Sequence, residues 1–157
     1  MGTYLRAGLG TYRVRGDDYF MKQALAEARQ AAAEGEVPVG AVVVCNERMI
    51  ARAHNQTERL NDPTAHAEIL AITAATGVLG AKYLTECTLY VTVEPCVMCA
   101  GAIGWSQINT LVYGASDEKR GFRLFAPNAL HPKTVVKTGI LEDECAAEMK
   151  GFFQEKR

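Results

Sequence analysis

The chain has 157 residues, 48% of them apolar and 22% charged, with a formal net charge of −1. That length suits one domain with a sizeable core, the composition is that of an ordinary globular protein, and the near-neutral balance excludes a global basic field advertising a nucleic-acid partner. Five cysteines, an odd number, argue against a disulfide framework and for a reducing compartment, the cytoplasm; no apolar run approaches a membrane span.

Residues 1–16 lack the apolar stretch of a signal peptide, and Arg6 stands where a myristoylation signal carries Ser or Thr. They read as a disordered leader, and residues 17–157 as a single domain without repeat or linker. Asp17 and Asp18 can cap a helix whose apolar face holds Phe20, Met21, Ala24, Leu25, Ala28, Ala31 and Ala32, with Gly35 as a natural stop. Val39 to Cys45 is a β-rich run without polar alternation, as in a strand buried on both faces. Met49 to His54 returns as a second strand after a turn at Asn46-Glu47-Arg48.

Asn55 to Asn61 is loop-like, and Asp62-Pro63 predicts a helix entry, with Asp as N-cap and Pro at the first helical position. This helix would carry His66 and Glu68 in its first turns and run to Gly77. Thr88 to Val93 predicts a third strand, followed by a helix bearing Cys96 and Cys99 on one face. Ile108 to Ala115 and Thr134 to Ile140 predict two more strands. Glu142 to Lys156 predicts a last helix with Cys145, Met149, Phe152 and Phe153 toward the core. Alternating helices and strands imply an α/β fold, a mixed or parallel sheet covered on both faces. Cys45, Cys87 and Cys145 read as buried structural thiols, His54 as structural, and the lone Trp105 as core in preference to a base-stacking platform.

Two stretches carry the chemistry: Ala65-His66-Ala67-Glu68 and Glu94-Pro95-Cys96-Val97-Met98-Cys99. Together they read H-A-E…P-C-x-x-C, the pattern of a zinc-dependent nucleobase deaminase. A structural zinc fills four positions with protein, whereas a catalytic one takes three and leaves the fourth to water, whose pKa falls to about 7. One histidine and one Cys pair supply three ligands, His66, Cys96 and Cys99. Glu68, off the metal, would move protons between that water and a leaving amine. A zinc ribbon would need a second Cys pair, and a thioredoxin-type redox pair leaves H-A-E unexplained.

Val37 to Ala41, Asn61 to Glu68, Thr88 to Ala102 and Gly139 to Ala147 are similar to the bacterial tRNA-specific adenosine deaminases, and the resemblance spans nearly everything from residue 18 onward. It implies a three-layer α/β/α cytidine-deaminase-like fold with a five-stranded mixed sheet, a homodimer, Zn2+ on His66, Cys96 and Cys99, and Glu68 as proton shuttle. It implies that Asn55 contacts the substrate nucleoside, that Asp117 lies near its ribose, and that the reaction turns the wobble adenosine of a tRNA anticodon stem-loop into inosine. The stretch from Glu118 to Lys133 is shorter than in that family and lacks its Asn-His pair. Val78 to Ala81 and Trp105 resemble guanine deaminases, so a free base or nucleoside is the alternative substrate. A non-enzymatic zinc or RNA-binding module is the third reading. Lys119, Arg120, Arg123, Lys133 and Lys137 lie in a stretch free of Asp and Glu, with Phe122 and Phe125 among them, which is either a phosphate-meeting surface or a solvated loop.

Overall fold

The computed structural model describes residues 3–7 and 10–156. Asp17–Ala33 (α1) is followed by the hairpin Gly40–Cys45 (β3) and Arg48–His54 (β4). Ala67–Leu79 (α2), Cys87–Val93 (β5), Val97–Ser106 (α3) and Thr110–Ala115 (β6) come next, then the single turn Phe122–Phe125 (α4), Val135–Thr138 (β7) and Glu142–Glu155 (α5). In the stretch expected as a disordered leader, Thr3–Ala7 (β1) and Gly10–Val14 (β2) instead pair antiparallel. Thr3, Tyr4, Leu5, Thr11, Tyr12 and Val14 all have the β-branched, aromatic or apolar character that a strand favours. The ribbon is a two-stranded sheet of its own, a form only marginally stable in isolation.

The five-stranded sheet has the order β4-β3-β5-β6-β7. β3 runs antiparallel to β4 and β5, while β5, β6 and β7 are parallel. This is the expected mixed sheet of an α/β/α sandwich. All of β3 is buried because its pleat feeds two cores. Ala41, Val43 and Cys45 join Ala71, Ala100, Ile103, Leu89 and Leu111 beneath α2 and α3. Val42 and Val44 join Met21, Leu25, Tyr90 and Val112 beneath α1, with Cys145 of α5 in the same cluster. The alanines of α1 serve packing: a Cβ on Gly40 would meet the Ala24 carbonyl at 1.9 Å and the Ala28 nitrogen at 2.5 Å. Only glycine lets this strand lie so close to the helix.

Several local expectations shift. Gly16, not an aspartate, is the N-cap of α1; Asp17 instead accepts hydrogen bonds from the Tyr90 hydroxyl at 2.7 Å and Lys137 at 3.4 Å. α2 begins at Ala67, later than Asp62-Pro63 suggested. The Asp62 carboxylate is taken by the Thr64 N–H and hydroxyl, both at 2.8 Å, so it closes a local turn instead of capping a helix. Trp105 is 85% exposed, not core, and Phe153 is exposed as well. Cys45, Cys87 and Cys145 are buried free thiols.

His54 is structural in an unexpected way. Its Nδ1 faces Glu27 at 3.0 Å and its Nε2 faces Glu34 at 2.9 Å, and Arg52 and Arg59 pair with the same two carboxylates. Burial alone would lower the His54 pKa, but the hydrogen bonds and charges of Glu27 and Glu34 raise it above the ordinary 6.5. A raised folded pKa means that the cationic form stabilises the fold. That contribution is complete below about pH 6.5 and is lost as pH rises through the higher folded value. An NMR titration of the His54 ring should therefore give a midpoint above 6.5; a midpoint below it overturns this account.

Candidate active site

The two chemistry-bearing stretches arrive at helix N-termini. His66 is the N-cap of α2 and Cys96 the N-cap of α3, both with extended backbone and neither side chain engaged in capping. Cys96 also follows the carboxyl end of β5, where the sheet changes from antiparallel to parallel pairing, a place where open α/β sheets form ligand crevices. The free N–H groups of both helix ends favour negative charge and so favour thiolates.

His66 Nδ1 lies 3.7 Å from Cys96 Sγ and 3.5 Å from Cys99 Sγ, and the three ligand atoms all fall within 4.8 Å of one another. A tetrahedral zinc, with bonds of about 2.3 Å to sulfur and about 2.0 Å to nitrogen, separates such atoms by about 3.6 Å. The donor set therefore fits zinc in identity and spacing, and it is the one such cluster among the described residues. Glu68 stands beside it, 4% exposed, and is not a member.

The electrostatics follow from burial and proximity. The Cys96 thiol is pushed down to about 4, first by its hydrogen bond with Cys99 and further by His66, with burial opposing. Cys99 moves up, because it keeps the shared proton and donates it to Cys96, and because it is buried. His66 rises, chiefly through its hydrogen bond with Cys96. Burial drives the Glu68 carboxyl up to about 7, and the Cys96 charge adds to this against its own backbone N–H and His66.

His66, Glu68 and Cys96 floor a cavity of about 890 Å³. One wall is the loop after β4, with Asn55 and Thr57; the other is the loop after β6, with Asp117, Lys119 and Arg120; α5 closes a third side with Met149, Lys150, Phe153 and Lys156. Asn55 is buried, and Asp117 spends one oxygen on the N–H groups of Lys119 at 3.0 Å and Arg120 at 2.9 Å. The structure thus brings together all six residues singled out from sequence: His66, Glu68, Cys96, Cys99, Asn55 and Asp117.

Of the five cations in the basic segment, only Lys119 and Arg120 line the cavity. Arg123 is held by Glu94 and Lys137 by Asp17, and Lys133 is exposed. Phe122 is buried. Sequence reasoning missed α5 as a wall, although Met149, Phe153 and Lys156 stand at helical spacing of four and three. It also missed Glu36, a buried carboxylate that accepts the backbone N–H groups of Glu58 at 3.0 Å and Arg59 at 2.8 Å and so fixes the loop after Asn55.

The family description "cytidine and deoxycytidylate deaminase zinc-binding region" matches residues 14–115. A tRNA-specific adenosine deaminase of Agrobacterium fabrum is 47% identical over 88% of this chain and 95% of its own length. The chain belongs to the tRNA-specific adenosine deaminase family. The tRNA(adenine(34)) deaminase of Arabidopsis thaliana chloroplasts is 43% identical over 88% of the chain, but the chain spans only 12% of that protein. Among solved structures, one from studies of A-to-I editing by tRNA:A34 deaminases at the wobble position of transfer RNA shares 47% identity and a TM-score of 0.78. It covers 83% of this chain and 98% of the other. A guanine deaminase from Bacillus subtilis shares 41% identity with a TM-score of 0.63, over 65% of this chain and 66% of that one. In this family Zn2+ is the cofactor to which the His66, Cys96 and Cys99 donor set corresponds.

Proposed function

We propose that this chain hydrolyses the wobble adenosine of a tRNA anticodon stem-loop to inosine, releasing ammonia. The observation that carries the reading is a three-ligand cluster with a buried, non-ligand Glu68, opening into a large cavity rimmed by cations from two separate walls. His66, Cys96 and Cys99 would hold zinc, which would supply a water acidified to about pKa 7 as nucleophile. Glu68 would take one proton from that water and pass it to the ring nitrogen, then take the second from the hydroxyl added to the purine and pass it to the departing amine. Asn55 orients the nucleoside and Asp117 faces its ribose. Lys119, Arg120, Lys150 and Lys156 meet backbone phosphates, and the unpaired anticodon loop supplies a base that can be splayed into the cavity.

The partner subunit is a second copy of this chain, a reading supported by the exposed apolar side chains Met98, Trp105, Leu124 and Phe125 of α3 and α4, the kind of surface that marks an interface. The compartment is the cytoplasm, in keeping with five free thiols. No helix among the described residues is long and apolar enough to cross a membrane.

A free base is the second reading, favoured by the likeness to the Bacillus subtilis guanine deaminase. Zinc-loaded protein should convert adenosine in an anticodon stem-loop and leave free guanine, adenosine and cytidine unchanged. Turnover of guanine with an inert stem-loop would replace the first reading by the second.

A further inference from the structure

Glu94 is a buried acid that proton transfer leaves without a task. Its side chain is 1% exposed, and it stands two residues before Cys96. Both of its oxygens are committed to the loop after β6. Oε1 accepts the Asp117 N–H at 3.1 Å and Arg123 Nη2 at 3.2 Å. Oε2 accepts the Arg123 N–H at 3.2 Å and its Nε at 3.3 Å. The Phe122 N–H adds a bond to the Pro95 carbonyl at 2.9 Å. A Cβ on Gly121 would come within 2.3 Å of the Glu94 carboxylate, so the loop carries glycine where the acid inserts.

These contacts run in sequence. Glu94 pins the Asp117 backbone, and the Asp117 carboxylate then pins the backbone of Lys119 and Arg120. Arg123 is turned toward Glu94 and Ser116, the latter at 3.0 Å. The segment that delivers a metal ligand is therefore tied rigidly to the wall that carries two of the cavity's cations.

We propose that Glu94 is a positioning residue: with Arg123 as its counter-ion, it clamps the 116–123 wall so that Asp117, Lys119 and Arg120 stand ready for the sugar-phosphate backbone of a polynucleotide. This rests on the RNA reading above. The clamp sets how the substrate seats and leaves the amine-releasing chemistry alone. Its removal therefore moves KM and spares kcat, the mark of lost uniform binding.

The test uses Glu94→Gln, Arg123→Ala and Arg123→Lys in the zinc-loaded protein, with an anticodon stem-loop as substrate and amide hydrogen exchange as a substrate-free readout. In the first two variants KM should rise about tenfold with kcat within about threefold and zinc content unchanged. Amide exchange at Asp117 and Arg123 should accelerate about tenfold or more. Arg123→Lys, which keeps the charge but not the fork, should recover part of both. Arg123 is half-exposed, so the Arg123→Ala variant decides the matter even where Glu94→Gln does not fold. Wild-type KM with unchanged exchange overturns the proposal, as does a loss confined to kcat. A wild-type protein inert on the stem-loop would refute the RNA reading, and the exchange data would still decide the clamp.

Discussion

Replacing Glu68 by Ala will cut turnover by about a thousandfold while zinc content stays at the wild-type level. A thousandfold corresponds to about 4 kcal/mol of transition-state stabilisation, the range expected when one positioned proton carrier is removed. The two halves of the outcome separate two models. A carboxylate that ligates the metal would take zinc with it; Glu68 lies outside the three-atom cluster, so the metal stays. Burial disfavours the Glu68 carboxylate strongly enough to push its pKa up to about 7, so the fold gains little from the acid. The variant should therefore melt no lower than the wild type, as expected where function rather than stability retains a residue. Metal analysis, steady-state kinetics and a melting curve on one preparation check all three statements. Normal turnover would remove Glu68 from the mechanism.

The metal-binding residues were legible because their chemistry imposes spacing. Two thiols three residues apart reach one ion from one helix end, and an imidazole must come from another element. The central strands β3, β5 and β6 were legible for a related reason, since strands buried on both faces carry largely unbroken apolar runs. What escaped depends on distance along the chain. Glu94 reads as the residue before a proline until its partners 23 and 29 positions away are in view. Glu36 reads as a surface acid until it meets two backbone N–H groups 22 and 23 positions on. α4 is four residues long, too short for any periodicity. Asp62-Pro63 carried a genuine helix-start signal, but the nearer hydroxyl and amide of Thr64 took the carboxylate first. Trp105 looked like core because large aromatic residues are usually well buried; the structure leaves it exposed near the end of α3.

Replacing Cys99 by Ala will abolish both zinc retention and turnover, whereas Cys145→Ala will keep both. The chain has five cysteines, all free, and three of them are fully accounted for by packing. Cys145 belongs to the core cluster beneath α1, with its sulfur where a Cβ on Gly114 would come within 2.4 Å. Losing it costs packing, about 1–2 kcal/mol, and no ligand. Cys99 is also fully buried, so burial alone does not separate the two; what does is the 3.5 Å approach to His66 Nδ1. Without Cys99, only His66 and Cys96 of the cluster remain, and a two-ligand site lacks the three protein ligands that a catalytic zinc takes. Because zinc binds the folded state in preference to the unfolded one, it raises Tm by mass action. Added zinc should lift the Tm of the wild type and of Cys145→Ala, and leave Cys99→Ala unmoved. A full equivalent of zinc in Cys99→Ala would mean that another group completes the site, and the candidate would then be Glu68, buried beside the cluster. In that case the loss of turnover would come from a base drawn onto the metal, and the Glu68→Ala, Cys99→Ala double variant would lose the zinc that the single variant kept.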